Sequence, residues 1–284
     1  MDLCNRSDIQ ALLARHGFHF SKSMGQNFLI ESWVPAQIAD ASGADAGMGV
    51  LEIGPGIGPL TQQLAQRSGR VVSVELDRRL LPVLAETMAG FDNFTLVEGD
   101  AMKMDLRALT AEHFAGLRPI LCANLPYNIT TPFLTACVQA GCFESLTVLI
   151  QKEAAQRFTA PQGSPEIGAF PLQLQYRMET ELLFDVEPEC FLPRPKVTST
   201  VLRCVRRQQP AVAVRDEALF QKVLKGAFLL RRKTLSNSLA SALPQFSKEE
   251  IQAAIAECGL PATVRGEALS LAEFAALTEA LAKG

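Results

Sequence analysis

One unit near the start of the chain constrains the fold most: an apolar run at residues 50–53, the segment GPGIG at residues 54–58, and a helical pattern from Leu60. Glycine permits tight turns and lets a ligand approach the main chain closely. Further apolar runs alternate with helical patterns and lie at residues 71–75, 94–97, 120–123 and 146–150. Strands that alternate with helices predict an α/β fold built on a parallel sheet with right-handed crossovers.

The second part of the chain has a different pattern. Strand-like stretches at residues 172–178 and 197–205 flank a proline-rich segment, and residues 206–216 have the composition of a linker. Every later pattern is helical, at residues 217–230, 233–242, 248–258 and 271–282. The chain therefore combines an α/β region with a helical one.

These patterns predict two domains. We expect an α/β domain over residues 1–208, with a helical extension at residues 1–45, and a small all-helical domain over residues 209–284. Ser247 and Glu250, three residues apart, form the capping-box pattern that begins a helix.

The composition excludes several classes of protein. Hydrophobic residues make up 48% of the 284 residues, which is enough for a packed core. No apolar run approaches the roughly 18 residues of a membrane span, and the N-terminus lacks a signal-peptide pattern. The 7 cysteines include no CxxC pair, and His16, His19 and His113 form no cluster. We therefore expect a cytoplasmic protein with no bound metal.

The net charge of −3 does not by itself favour a nucleic-acid partner. Residues 201–284, however, carry 12 basic and 8 acidic side chains, and a local basic patch is sufficient to contact phosphates. The candidate phosphate contacts are Arg194, Lys196, Arg203, Arg206, Arg207, Arg231, Arg232 and Lys233.

Acidic residues end the two strands that follow the glycine-rich turn. Glu75 lies 21 residues after Gly54, where an acid that binds ribose hydroxyls is expected, and Asp100 follows the next strand. Because the carboxyl ends of parallel strands meet at one edge of the sheet, these groups predict a site for a nucleoside-containing ligand. Pro59 stands where a dinucleotide fingerprint needs a third glycine or alanine, which disfavours a dehydrogenase.

The fourth strand of the α/β region ends in the sequence Asn124-Leu125-Pro126-Tyr127. The exocyclic amine of adenine is a poor nucleophile because its lone pair is conjugated with the ring. The side-chain carbonyl of Asn124 and the main-chain carbonyl of Leu125 are suited to accept its two hydrogens, and Tyr127 is suited to stack on the base. This chemistry requires neither a metal nor a histidine.

Several segments together resemble the ribosomal RNA adenine dimethyltransferases that act on the small subunit. They are GQNFL at residues 25–29, EIGPGIG at 52–58, Glu75, Asp100, NLPY at 124–127, FLPRPKVTS at 191–199 and RRKTLSN at 231–237. The resemblance covers about residues 15–280. It implies a class I, Rossmann-like methyltransferase fold with a mostly parallel seven-stranded sheet, helices on both faces, and a small C-terminal all-helical domain.

The resemblance also implies S-adenosylmethionine as the cofactor and methyl transfer to N6 of two adjacent adenosines near the 3′ end of small-subunit rRNA. The implied cofactor contacts are Asn27, Leu29, Gly54, Gly56, Glu75, Asp100 and Asn124. The implied catalytic residues are Asn124, Leu125, Tyr127 and Phe191, with Phe191 stacking on the base opposite Tyr127. Gly266 departs from the family, which usually has proline at this position.

The implied partner is small-subunit rRNA or the immature small ribosomal subunit, contacted by the C-terminal domain of a monomer. Three alternatives stay open. A large-subunit rRNA adenine methyltransferase of the macrolide-resistance type more often has isoleucine in place of Leu125. Methyltransferases acting on DNA adenine or protein glutamine usually have proline there. A non-catalytic ribosome-assembly or transcription factor would keep the fold without the activity.

Overall fold

A computed structural model of the chain describes residues 1–20 and 26–283, so Gly25 of the GQNFL segment lies outside the described residues. In chain order the helices and strands are α1 (Arg6–Arg15), β1 (Phe28–Leu29), α2 (Trp33–Ser42), β2 (Met48–Ile53), α3 (Pro59–Ala65), β3 (Arg70–Glu75), α4 (Leu81–Thr87), β4 (Phe94–Glu98), α5 (Leu106–His113), β5 (Arg118–Asn124), α6 (Thr130–Ala140), β6 (Ser145–Gln151), α7 (Lys152–Phe158), α8 (Ala169–Arg177), β7 (Met178–Val186), β8 (Phe191–Leu192), β9 (Ser199–Arg206), α9 (Glu217–Ala227), α10 (Leu235–Ala242), α11 (Lys248–Glu257) and α12 (Leu271–Leu281).

The contacts divide the chain into two compact units. The sheet unit comprises Met1–Ala155 and Thr180–Arg206, and the helical unit comprises Gln156–Glu179 and Arg207–Gly284. The helical unit thus includes residues 156–179, which the sequence pattern placed in the α/β domain. The division into a catalytic domain and an RNA-binding domain at residues 208/209 stays a prediction.

The sheet unit is built on seven strands in the order β4-β3-β2-β5-β6-β9-β7. Strands β2 to β6 pair in parallel, and β9 pairs antiparallel with β6. The predicted α/β fold with a mostly parallel seven-stranded sheet is therefore confirmed. Because β2, β3 and β5 run in the same direction, their last residues, Ile53, Glu75 and Asn124, lie at one edge of the sheet.

The central strands are apolar on both faces. Val50, Leu51, Val72, Ile120 and Leu121 are all completely buried, as expected where both faces of a parallel sheet are covered. Outside this sheet, β1 and β8 form an antiparallel pair in which Phe28 lies opposite Leu192 and Leu29 opposite Phe191. This short pair joins the N-terminal segment to the proline-rich segment.

The helical unit has a core of its own, to which α9, α10, α11 and α12 contribute. The four predicted helices are confirmed, and so is the capping box of Ser247 and Glu250 at the start of α11. A second capping box, formed by Ser270 and Glu273, begins α12. In the described part of the chain, no helix is both long and apolar enough to cross a membrane.

One predicted strand is wrong: residues 172–178 lie mostly in helix α8. Their alternating sequence, LQLQYRM, suggested a strand with one exposed face. Instead Gln173 is buried and donates to Oε1 of Gln221 at 2.8 Å, while Gln175 donates to the carbonyl of Ala160 at 2.9 Å. Both glutamine side chains form hydrogen bonds within the helical unit. The alternation of apolar and polar residues therefore did not indicate a solvent-exposed strand face.

Gly266, the position that departs from the family pattern, is buried against the end of α9. A Cβ atom at this position would lie 2.7 Å from the carbonyl oxygen of Ala227, which is backbone and cannot turn away. We expect Gly266→Ala and Gly266→Pro to lower the free energy of unfolding by about 1–3 kcal/mol, since overpacking costs that much. Chemical denaturation measures the loss. Gly90→Ala, which meets nothing within 4 Å, is the matched control; an equal loss in both would contradict the explanation.

Candidate active site

A cleft lies at the carboxyl edge of the sheet, and all its lining residues belong to the sheet unit. The volume of the cleft, including the part open to solvent, is about 1110 Å³. This volume is sufficient for a nucleoside-sized ligand. All the predicted cofactor contacts line it, and so do three of the four predicted catalytic residues. Together these lining residues are Asn27, Leu29, Gly54, Gly56, Glu75, Asp100, Asn124, Leu125 and Tyr127. The structure thus brings together residues that are up to 100 positions apart in the chain.

The glycine-rich turn forms one wall of the cleft. Gly54, Gly56 and Gly58 have φ values of 67°, 62° and 96°, in the left-handed region that favours glycine. A Cβ atom on Gly56 would come within 3.0 Å of the Phe28 ring. The turn therefore needs glycine both for its backbone conformation and for its packing against the N-terminal segment.

Glu75 ends β3 and is buried, with 6% of its surface exposed. Its Oε1 accepts the main-chain N–H of Asp77 at 2.8 Å. The pKa of Glu75 is raised to about 7, mainly by burial. The nearby Asp77 carboxylate also raises this pKa, whereas main-chain N–H donors lower it. A buried carboxylate of this kind is stabilised by hydroxyl donors on a ligand, which ribose supplies.

Glu52 is a second buried carboxyl group of the cleft and was not predicted as a site residue. Its Oε2 accepts hydrogen bonds from the hydroxyls of Thr61 and Ser73, each at 2.7 Å. Burial raises its pKa to about 7, although both hydroxyls act in the opposite direction. The available signal in the sequence was a single charged residue inside an otherwise apolar strand.

Asp100 also lines the cleft and caps a short turn. Its Oδ1 accepts the main-chain N–H of Met102 at 3.0 Å, and its Oδ2 lies 3.6 Å from Nζ of Lys103. The main chain of Ala101 lines the cleft beside it. Asp100 thus fixes the turn that presents both a carboxylate and main-chain groups to a ligand.

Asn124 is held by the N-terminal segment. Its Nδ2 donates to the main-chain carbonyl of Asn27 at 3.0 Å. With the amide nitrogen engaged in this way, the side-chain oxygen Oδ1 is the group suited to accept a hydrogen from a ligand amine. The next residue, Leu125, is buried and donates its N–H to the carbonyl of Leu149 at 3.2 Å, which fixes the turn to the neighbouring strand β6.

Tyr127 completes the turn at the cleft. Its hydroxyl forms a hydrogen bond of 2.7 Å with the hydroxyl of Ser199, a buried residue at the start of β9. Burial raises the pKa of the tyrosine, and the bond to Ser199 partly offsets that rise. The phenol is therefore a neutral group, attached at its far end to a different strand.

Phe191 is placed differently from the other predicted catalytic residues. It lies in β8 with 1% of its surface exposed, packs in the core of the sheet unit, and is not among the residues that line the cleft. Stacking on a base would require this strand to move. Its predicted role stays a prediction.

The predicted phosphate contacts fall in both units. In the sheet unit, Arg194 pairs with Glu189, Lys196 and Arg206 are exposed, and Arg203 is half-buried. In the helical unit, Arg207 pairs with Glu179 at 2.9 Å and Arg231 donates to the carbonyl of Pro165 at 2.6 Å. Arg232 and Lys233 are exposed beside Arg231.

The strand order and the position of this cleft define a class I, Rossmann-like methyltransferase. The sequence profile described as ribosomal RNA adenine dimethylase matches residues 17–283, which is most of the chain. The chain therefore belongs to the ribosomal RNA adenine dimethylase family, and the resemblance inferred from its motifs is confirmed.

Curated relatives agree with this assignment. A protein of Geobacillus thermodenitrificans is 42% identical over 284 residues, covering 99% of this chain and 97% of the relative. A protein of Streptococcus gordonii is 44% identical over 285 residues, covering 99% and 98%. Both are named ribosomal RNA small subunit methyltransferase A.

Solved structures show the same fold. The 23S rRNA methyltransferase ErmE is 26% identical, with a TM-score of 0.66 over 90% of this chain and 100% of that chain. A dimethyladenosine transferase from Plasmodium falciparum is 21% identical, with a TM-score of 0.73 over 88% of this chain and 95% of that chain. The higher identity to the small-subunit relatives disfavours the large-subunit alternative.

Proposed function

We propose that the protein transfers methyl groups from S-adenosylmethionine to N6 of two adjacent adenosines near the 3′ end of small-subunit rRNA, giving N6,N6-dimethyladenosine. The observation that carries this proposal is the Asn124-to-Tyr127 turn at the edge of a nucleoside-sized cleft, with Asn124 oriented by the carbonyl of Asn27. Membership of the adenine dimethylase family supports the same reaction.

The residues of the cleft fit the cofactor. Glu75 would accept the ribose hydroxyls, and Asp100 and the main chain of Ala101 would contact the adenine. Asn27 and Leu29 line the cleft from the N-terminal segment. When bound, S-adenosylmethionine would supply an electrophilic methyl group carried on a positively charged sulfur.

The protein's part in the reaction is positioning and electrostatics. Oδ1 of Asn124 and the carbonyl of Leu125 would accept the two amine hydrogens, which favours the pyramidal, more nucleophilic form of nitrogen. Tyr127 would stack on the base, a contact worth ~1–3 kcal/mol. No general base is needed, because the amine becomes acidic only as it is methylated.

The basic side chains support binding to RNA. The exposed Arg232 and Lys233 of the helical unit, and Lys196 and Arg206 of the sheet unit, are suited to contact phosphates. We assign RNA binding to the C-terminal helical domain and catalysis to the sheet unit, and we place the protein in the cytoplasm as a monomer.

The proposed function is tested on ribosomal particles from bacteria that lack small-subunit adenine dimethylation. The purified protein is incubated with S-adenosylmethionine and either small or large subunits, and the digested rRNA is analysed by mass spectrometry. We expect two adjacent dimethyladenosines in the small-subunit rRNA and no methylation of the large-subunit rRNA. Methylation confined to large subunits, or binding to small subunits without methylation, would overturn the proposal in favour of one of the alternatives.

A further inference from the structure

The hydrogen bond between Tyr127 and Ser199 links two distant parts of the sheet unit. Tyr127 lies on the turn that follows β5, whereas Ser199 is the first residue of β9 and lies opposite Gln151 of β6. The two hydroxyl oxygens are 2.7 Å apart. Ser199 is completely buried, so its hydroxyl is not exposed to solvent.

The hydroxyls that flank Ser199 in the sequence have other partners. Thr198 donates to a carboxylate oxygen of Glu187 at 2.9 Å, and Thr200 donates to one of Asp185 at 2.6 Å. Side chains alternate between the two faces of a strand, so Ser199 points away from these acids and towards the turn. Of these three hydroxyl residues, Ser199 alone is bonded to a residue of the cleft.

The bond fixes the Tyr127 ring at both ends. The main chain holds its Cβ end, and Ser199 holds its phenolic oxygen. A ring held in this way is an ordered stacking surface, whose position does not have to be fixed again when a base arrives. Ser199 itself is not among the residues that line the cleft, so it would act only through Tyr127.

The two methyl transfers depend on this surface to different extents. An unmethylated adenine amine offers two hydrogens, one for Asn124 and one for Leu125. After the first transfer a single hydrogen remains, so one of the two hydrogen bonds that orient the amine is lost. The second transfer therefore relies more on stacking than the first does.

We infer that Ser199 is a positioning residue for methyl transfer, which holds the Tyr127 ring in place and thereby sustains the second methylation. This inference rests on the proposed function, because it concerns the same adenine and the same turn. Its distinguishing consequence is a change in product: a variant without the bond releases N6-methyladenosine that the native enzyme would convert to the dimethylated form.

The test uses the full-length variants Ser199→Ala, Tyr127→Phe and the double variant, with Thr198→Val as the matched control. Single-turnover assays on undimethylated small subunits give the rate of each transfer, and mass spectrometry gives the ratio of monomethyl to dimethyl product. We expect each single variant to slow the second transfer about 5- to 20-fold and the first about 2- to 5-fold, with cofactor affinity unchanged. Because both variants remove the same bond, the double variant should be no slower than either one.

Each outcome decides a separate question. If the native protein does not methylate small subunits, the proposed function fails, and this inference fails with it. If the native protein is active but Ser199→Ala gives the native ratio of products, only the inference is overturned. Effects that add in the double variant would also overturn it, since they would show that Ser199 acts independently of the Tyr127 hydroxyl. Rescue of the dimethyl product by Ser199→Thr, which keeps a hydroxyl, is expected.

Discussion

Asn124→Ala should reduce the rate of methyl transfer about 100- to 1,000-fold, the range seen when one preorganised polar group is removed from a transition-state site. The substitution removes Oδ1, which we assign to an amine hydrogen, and it also removes the bond from Nδ2 to the carbonyl of Asn27. Binding of small-subunit rRNA should be retained, because no phosphate contact is altered. Single-turnover kinetics and filter binding on the same preparation measure the two quantities.

A control variant and a conservative variant help to interpret the result for Asn124→Ala. Gln66→Ala removes an exposed amide that does not line the cleft and should leave the rate within about twofold of native. Asn124→Asp keeps an acceptor oxygen but cannot donate to Asn27, so its rate should fall between those of the native protein and Asn124→Ala. Near-native methylation by Asn124→Ala would contradict the role assigned to Oδ1 of Asn124.

Glu75→Ala should weaken the binding of S-adenosylmethionine about 30- to 1,000-fold. The reason is the loss of two hydrogen bonds from ribose hydroxyls to a charged acceptor, worth ~1–2 kcal/mol each in a partly buried site. Isothermal titration calorimetry at pH 8 measures the change. The conservative variant Glu75→Gln keeps the shape of the side chain and should give an intermediate loss.

The same carboxyl group makes cofactor binding depend on pH. With a pKa of about 7 in the free protein, Glu75 is mostly protonated at pH 6, and it must lose its proton to accept both hydroxyls. Binding should therefore be about 10-fold weaker at pH 6 than at pH 8, with proton release on binding. Glu75→Gln should have a flatter profile. The pKa of Glu52 is also about 7, so Glu52 is the competing titrating group. If Glu52→Gln, rather than Glu75→Gln, removed the pH dependence of cofactor binding, the assignment to Glu75 would be contradicted.

The parts of the fold and site that the sequence predicts are those with local patterns. The strands are short β-branched or apolar runs bounded by turns. The closely spaced glycines at residues 54–58 indicate a tight turn with positive φ values. Gly54, Glu75, Asp100 and Asn124 could be placed in one cleft because each follows a strand of a parallel sheet. In such a sheet, a residue that directly follows a strand lies at the carboxyl edge, whichever strand it follows.

Contacts between distant segments could not be predicted in this way. The bond from Asn124 to the carbonyl of Asn27 and the bond from Tyr127 to Ser199 join segments 97 and 72 residues apart. Neither has a local signature, since main-chain carbonyls and serines occur throughout the chain. The burial of Phe191 illustrates the same limit, because it depends on the pairing of Phe191 with Leu29, a residue 162 positions away in the chain.

The pairing of β1 with β8 has a consequence for synthesis on the ribosome. Phe28 and Leu29 emerge early, but their partners Leu192 and Phe191 emerge more than 160 residues later. Closing so long a stretch of chain is slow and costs entropy that local contacts do not return. One wall of the cofactor cleft therefore cannot be anchored co-translationally until about two-thirds of the polypeptide has been made, so a nascent chain arrested before residue 191 should lack a complete cleft.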